Sequence, residues 1–111
     1  MDCLFCKIIK KELSSEVVYE DDKFLAFKDI HPIAPVHILI IPKKHIETIE
    51  HIGPGDKELI GELFLAAKKV AKLQGVLESG YRLSFNVGKN AGQAVDHLHL
   101  HLIGGKKLTW E

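Results

Sequence analysis

Three histidines alternate with three leucines near the end of the chain, His97-Leu98-His99-Leu100-His101-Leu102. Side chains along a strand point to opposite faces at successive residues. The stretch therefore predicts one strand, His97 to Ile103, with three leucines on one face and three imidazoles on the other. The leucine face needs an apolar layer against it. The histidine face must line a cleft, a rim or a metal site. Three of the chain's seven histidines fall within five residues, which is too regular for tolerated polar residues on a half-exposed sheet.

The rest of the sequence supplies what such a strand requires. Apolar residues recur at three- and four-residue spacing through Leu59, Ile60, Leu63, Phe64, Ala67, Val70 and Ala71. Lys57, Glu58, Lys68, Lys69 and Lys72 fall largely on the opposite side, so this is one long amphipathic helix. It starts after Gly53-Pro54-Gly55 with Asp56 as the expected N-cap and closes near Gly75. Gly61 within it points to close packing or simple tolerance. Leu4 to Lys11 fits a short helix. Val17 to Tyr19 and Phe24 to Phe27 read as strands around the acidic turn Glu20-Asp21-Asp22, and His37 to Ile41 as a strand ended by Pro42. Tyr81 to Val87 alternates as a fourth strand, with Tyr81, Leu83, Phe85 and Val87 on one side. The expectation is α+β: a five-stranded antiparallel sheet, one long helix on a face, and a short N-terminal helix.

Length and charge narrow the function. The 111 residues suit a single domain over 1–111, with 46% hydrophobic and 27% charged residues. Fifteen basic residues balance fifteen acidic ones, which argues against long nucleic acid as the ligand, since backbone binders carry a basic excess. No stretch reads as a secretion signal, and no apolar run reaches membrane-spanning length, so the cytosol is the expected compartment. Cys3 and Cys6 form a Cys-x-x-Cys pair. A disulfide is not its expected purpose in a reducing compartment, and a redox motif would follow a strand. Metal binding or packing remain.

Metal binding alone does not account for the histidine row. Residues i and i+4 of a straight strand lie about 13 Å apart, too far for His97 and His101 to share one small ion. Nucleophilic catalysis suits it better: an imidazole with a reference pKa of about 6.5 is mostly neutral at pH 7 and attacks phosphorus well. Its other nitrogen then needs an acceptor, and donors must face the phosphoryl oxygens. The loop Ala91 to Val95 precedes the strand, and its N–H groups and the Gln93 amide are placed to close around a phosphate.

The row resembles the His-x-His-x-His-x-x signature of the histidine-triad (HIT) family, with apolar residues at x. The resemblance runs over nearly the whole chain. Phe5-Cys6-Lys7-Ile8-Ile9, Leu25-Ala26-Phe27-Lys28-Asp29-Ile30, Pro35-Val36-His37, Ile41-Pro42-Lys43-Lys44-His45, Gly80-Tyr81-Arg82, Asn86, Gly92-Gln93 and Gly104-Gly105 look like its nucleotide-binding (Hint-like) branch. The resemblance implies a HIT-like fold and a homodimer. It implies a hydrolase acting at the α-phosphate of purine nucleoside phosphoramidates, through a covalent nucleotidyl-histidine. His99 matches the nucleophile, His101 the histidine contacting the phosphate, and His97 and His37 supporting members of that network. Asp29 matches the carboxylate holding the ribose hydroxyls, although by itself it also reads as a turn-forming residue. Phe5, Ile8, Phe27, Ile30 and Leu39 match walls around the base. Of these, Phe5, Ile8, Phe27 and Leu39 read equally as core. Asn86, Gly92, Gln93 and Val95 match groups near ribose and phosphate.

No cofactor is implied for catalysis. The resemblance does imply a structural zinc held by Cys3, Cys6, His45 and His97, against the plainer reading of two idle thiols. The chain departs from the family pattern at Ala94, where some members carry a serine, and at Asp96, where an aromatic is common. Its tail, ending Trp110-Glu111, is also shorter. Three competing readings are a dinucleoside polyphosphate hydrolase, a nucleotide- or zinc-binding interaction module with little turnover, and a zinc-dependent hydrolase.

Overall fold

A computed structural model describes residues 3–110. The elements run α1 (Leu4–Ile9), β1 (Val17–Glu20), β2 (Phe24–Lys28), β3 (Val36–Pro42), α2 (Lys57–Leu73), β4 (Tyr81–Ser84) and β5 (Leu100–Gly104). The strands form one antiparallel five-stranded sheet in the order β1-β2-β3-β5-β4. The expected class and elements are all present.

Alternation along the inner strands divides the apolar residues between two layers. Phe24, Ala26, Ile38, Ile40, Leu100 and Leu102 face α2, where Leu63, Ala66, Ala67, Val70 and Ala71 complete the larger core. Leu25, Phe27, Leu39 and Ile41 face the other way and pack with Cys3, Phe5 and Ile8 of the N-terminal segment. The leucine face therefore lies under the long helix, as its pattern requires. α2 ends at Leu73 with Gln74 as its C-cap, and Gly75 follows in the left-handed region at φ +74°, where a side chain would be strained.

Four local expectations are corrected. β5 begins at Leu100, three residues later than predicted, because its partner β3 stops at Pro42, which has no N–H for the ladder. The Pro42 carbonyl accepts from the His97 ring instead, and the Leu98 N–H turns to the Ile46 carbonyl at 2.6 Å. β4 ends at Ser84 rather than Val87, opposite His101, since β5 supplies no ladder beyond Leu100. Asp56 precedes α2 but does not cap it. Its backbone is already helical, and its carboxylate accepts from Gly53 N at 3.0 Å and pairs with Lys44 at 2.6 Å. Phe64, counted on the buried side of the helix, is 43% exposed. At Gly61 an added Cβ would meet nothing within 4 Å, so no packing within the chain requires the glycine.

Ile40 is fully buried between β2, β5 and α2. Ile40→Ala should lower stability by about 2–5 kcal/mol, from lost burial plus a cavity. The shift in the urea midpoint at unchanged m-value measures it.

Candidate functional site

β3 and β5 bring His37 and His101 together. His37 Nδ1 accepts from the Ile33 N–H at 3.2 Å, so its Nε2 carries the hydrogen. That Nε2–H points to His101 Nδ1 at 3.0 Å, with Asp29 Oδ2 at 3.4 Å. His101 is thereby fixed as the tautomer protonated at Nε2. Among the described residues, His101 Nε2 is the buried side-chain nitrogen or oxygen left without a hydrogen-bond partner. It is a donor held ready for an acceptor from outside the chain.

His99 carries the opposite tautomer. Its Nδ1–H donates to the His97 carbonyl at 2.7 Å, which leaves a lone pair on Nε2. Phe5 presents its ring to His99 edge-on, with centroids 5.2 Å apart and planes at 90°. The His101 ring lies 5.1 Å from that of His99. A lone-pair nitrogen and an N–H donor thus stand side by side.

Both rings open into a pocket of about 400 Å³. Phe5, Ile8, Phe27, Ile30, Leu39, Asn86, Gly92 and Val95 line it, as does Asp29. The alternative between core and pocket dissolves for Phe5, Ile8, Phe27 and Leu39, which pack together on one side and face the pocket on the other. Ile30 is 85% exposed at the lip. Asp29 does form a turn, its Oδ1 accepting from His31 N at 2.8 Å, and its other oxygen faces His37. Ala94, part of the loop expected at the phosphate, also lines the pocket, as do Leu4, Leu13, Ser14, Ser15 and Lys28, which the sequence pattern does not mark as site residues. Ser14 and Ser15 lie in the segment between α1 and β1 without periodicity to place them, whereas Lys28 follows Phe27 on a strand that was foreseen.

Gln93 departs from its expected place at a phosphate. Its Oε1 accepts from Gly88 N at 2.9 Å, and its Nε2 donates to the carbonyls of Glu47 at 2.8 Å and Val95 at 3.1 Å. The amide braces the loop instead. Asp96 likewise does not reach the pocket. It lines a neighbouring cleft with Cys3, His45 and Glu47, separated by Leu4, Ala94 and Val95, which border both.

His97 leaves the row altogether. Fully buried, it donates Nε2–H to the Pro42 carbonyl at 2.8 Å, so its Nδ1 lone pair faces the cysteines. Cys3 Sγ lies 3.4 Å and Cys6 Sγ 3.6 Å from that nitrogen. His45 Nδ1 lies 3.2 Å from it and 3.3 Å from Cys6 Sγ. A tetrahedral zinc with bonds of about 2.3 Å to sulfur and about 2.0–2.1 Å to nitrogen has edges of roughly 3.3–3.8 Å. The four separations just given, 3.2–3.6 Å, lie close to that figure, and all four atoms fall within 4.8 Å of one another, so this cluster can hold a metal ion. Burial first, and then the Cys3 sulfur, push the Cys6 thiol above its ordinary value; a bound cation reverses that preference. Asp29, His37 and His101 form a second group with possible ligand atoms this close, but the hydrogen-bond chain already accounts for their approach.

The HIT domain family model matches residues 10–108. An uncharacterised HIT-like protein of Synechocystis is 48% identical over 98% of this chain and 95% of its own length. The crystal structure of a HIT family hydrolase from Legionella pneumophila superposes with a TM-score of 0.95 at 53% identity, covering 98% of this chain and 97% of that one. A histidine triad nucleotide-binding protein from Candida albicans gives a TM-score of 0.85 at 35% identity, over 99% and 83%. The chain belongs to the HIT family. The HIT row is split by function of geometry: His97 joins the possible metal cluster, and His99 and His101 face the pocket. Among the described residues no helix is long and apolar enough to cross a membrane.

Burial, followed by the neighbouring His99 and His37, pushes His101 down to about 4; burial also lowers His37, against the opposing pull of Asp29. Between about pH 6.5 and 4 the unfolded chain binds a proton at position 101 that the native HIT fold does not. The contribution of His101 to stability should be greatest above about pH 6.5 and fall with acid through that window, by up to about 1.4 kcal/mol per pH unit, and the lowered His37 adds a loss of the same sign. Urea unfolding at pH 7 and pH 5 measures the loss, and it should be smaller in His101→Gln.

Proposed function

We propose that this single HIT domain, residues 1–111, is a cytoplasmic nucleotide hydrolase of the Hint-like branch. It acts at the α-phosphate of purine nucleoside phosphoramidates of the AMP–amine type. The observation that carries the reading is the pair of opposed tautomers, a lone pair at His99 Nε2 beside an unpartnered N–H at His101 Nε2.

His99 Nε2 attacks the α-phosphorus. A P–N bond to the ring forms as the bond to the leaving amine breaks, and the amine departs after taking a proton from solvent. The ring now carries a positive charge, which its Nδ1–H shares with the His97 carbonyl. His101 Nε2–H donates to a phosphoryl oxygen and stabilises charge where it develops. His37 and Asp29 hold His101 in the tautomer that can donate. Water then attacks phosphorus, the bond to His99 breaks, and its lone pair returns as the nucleoside monophosphate forms. Phe5, Ile8, Phe27, Ile30 and Leu39 wall the base; Asp29, Asn86, Gly92 and Val95 border ribose and phosphate.

Catalysis in this scheme needs no cofactor. Cys3, Cys6, His45 and His97 hold a structural zinc, for which their donor set is suited. The homodimer forms through the outer face of α2 and the edge strand β4. Gly61 is open there, and Phe64 and Leu65 are exposed.

His99→Gly should lose AMP release from an adenosine phosphoramidate by about three orders of magnitude or more while staying folded. Equal rates in the two proteins would leave the binding module as the better reading, and a preference for diadenosine polyphosphates would favour that hydrolase. Light scattering should give twice the 12.4 kDa chain mass, and Phe64→Glu should shift the protein to monomer.

A further inference from the structure

Phe5 lies between the two cysteines in sequence, and its ring stands against His99, 5.2 Å away. It also meets Phe27 at 5.4 Å and His97 at 6.0 Å. α1 has six residues and its N-cap is Cys3, whose sulfur accepts from Cys6 N at 3.4 Å. A helix so short has no stability of its own. What holds it is the packing of Phe5 and Ile8 and the convergence of its two sulfurs on His45 and His97.

The second connection is made by His97 itself. Its side chain turns to the sulfurs, while its carbonyl receives the Nδ1–H of His99 at 2.7 Å. A shift of the His97 backbone that accompanies engagement or release of its ring moves the acceptor that fixes the tautomer of His99. Leu4, next to Cys3, and Val95, two residues before His97, line the pocket as well. The Cys3–Cys6–His45–His97 cluster therefore touches the pocket by two separate routes, a wall and a hydrogen bond.

We infer that Cys3, Cys6 and His45 are positioning residues for the nucleotide pocket: metal occupancy of their cluster and nucleotide occupancy of the pocket are thermodynamically coupled. This rests on the nucleotide and zinc readings proposed above and goes beyond a merely structural ion. A bound ion holds His97 and α1 in the arrangement that receives the nucleotide. By linkage, a nucleotide that packs against Phe5 and His99 in that arrangement must hold the ion more tightly by the same factor.

The test uses Zn²⁺ and AMP as probes on the full chain. Calorimetry gives the AMP dissociation constant for zinc-loaded protein and for chelator-stripped protein shown to be folded by circular dichroism. Stripping should weaken AMP binding by about 5- to 150-fold. Competition with a chromophoric chelator should show zinc affinity rising by that factor when AMP is saturating. Should the stripped chain unfold, the Co²⁺-loaded protein replaces it. Its ligand-field bands should shift on adding AMP, because His97 moves with His99, whereas an inert staple leaves them unchanged. Equal AMP affinities, a zinc affinity indifferent to AMP, or an unmoved cobalt spectrum would each overturn the coupling alone. Failure of the loaded protein to bind AMP would overturn the nucleotide reading with it, and failure to take up zinc would overturn the zinc reading.

Discussion

The ladder between β3 and β5 runs from Val36↔Gly104 to Ile40↔Leu100, with one histidine cluster on its face and the other past one end. Within it, Leu39↔His101 and His37↔Ile103 bring two imidazoles onto the same face. Past its end, where Pro42 halts the ladder, the Pro42 carbonyl catches the His97 ring, and His45 follows three residues on. Slipping β5 by one residue against β3 would turn His101 away from His37 and into the core under α2. Ile38, Ile40, Leu100 and Leu102 on the opposite face forbid that shift, so the hydrophobic layer sets the register on which the polar site depends.

Three histidines in one row come to do three different things because each meets a different partner at its second nitrogen. His97 gives its Nε2–H to Pro42 and turns Nδ1 to the sulfurs. His99 gives Nδ1–H to a main-chain carbonyl and keeps Nε2 free. His101 accepts at Nδ1 and is left with a donor. Residue type provides the imidazole, but the backbone and His37 decide which nitrogen is base and which is acid.

Much of this was readable in the residues. Period-two alternation revealed the strands, and the spacing from Leu59 to Ala71 revealed α2, because burial on one face leaves a regular trace. Strand rise predicts that His97 and His101 do not share one ion, and the structure separates them by a different route, since residues 97–99 lie outside β5. The lost details depend on partners distant in sequence. The start of β5 is set by a proline 58 residues earlier, and Asp56 prefers Gly53 and Lys44 to the helix it precedes. Phe64 obeys helical spacing yet lies outside the core, since periodicity shows which residues share a face and not how far the core extends around it. Gln93 looked like a ligand group because loop amides often are, and only the nearness of Glu47 and Gly88 gives it other work.

That work has a consequence for recognition. By tying Gly88 to Gln93 and both to the segment after β3, the amide sets the shape of the 88–93 loop during folding. Little conformational entropy is then left to surrender when a ligand arrives. Encounter should resemble the filling of a rigid mould more than the closing of a lid, so that selectivity among ligands is decided by shape at first contact.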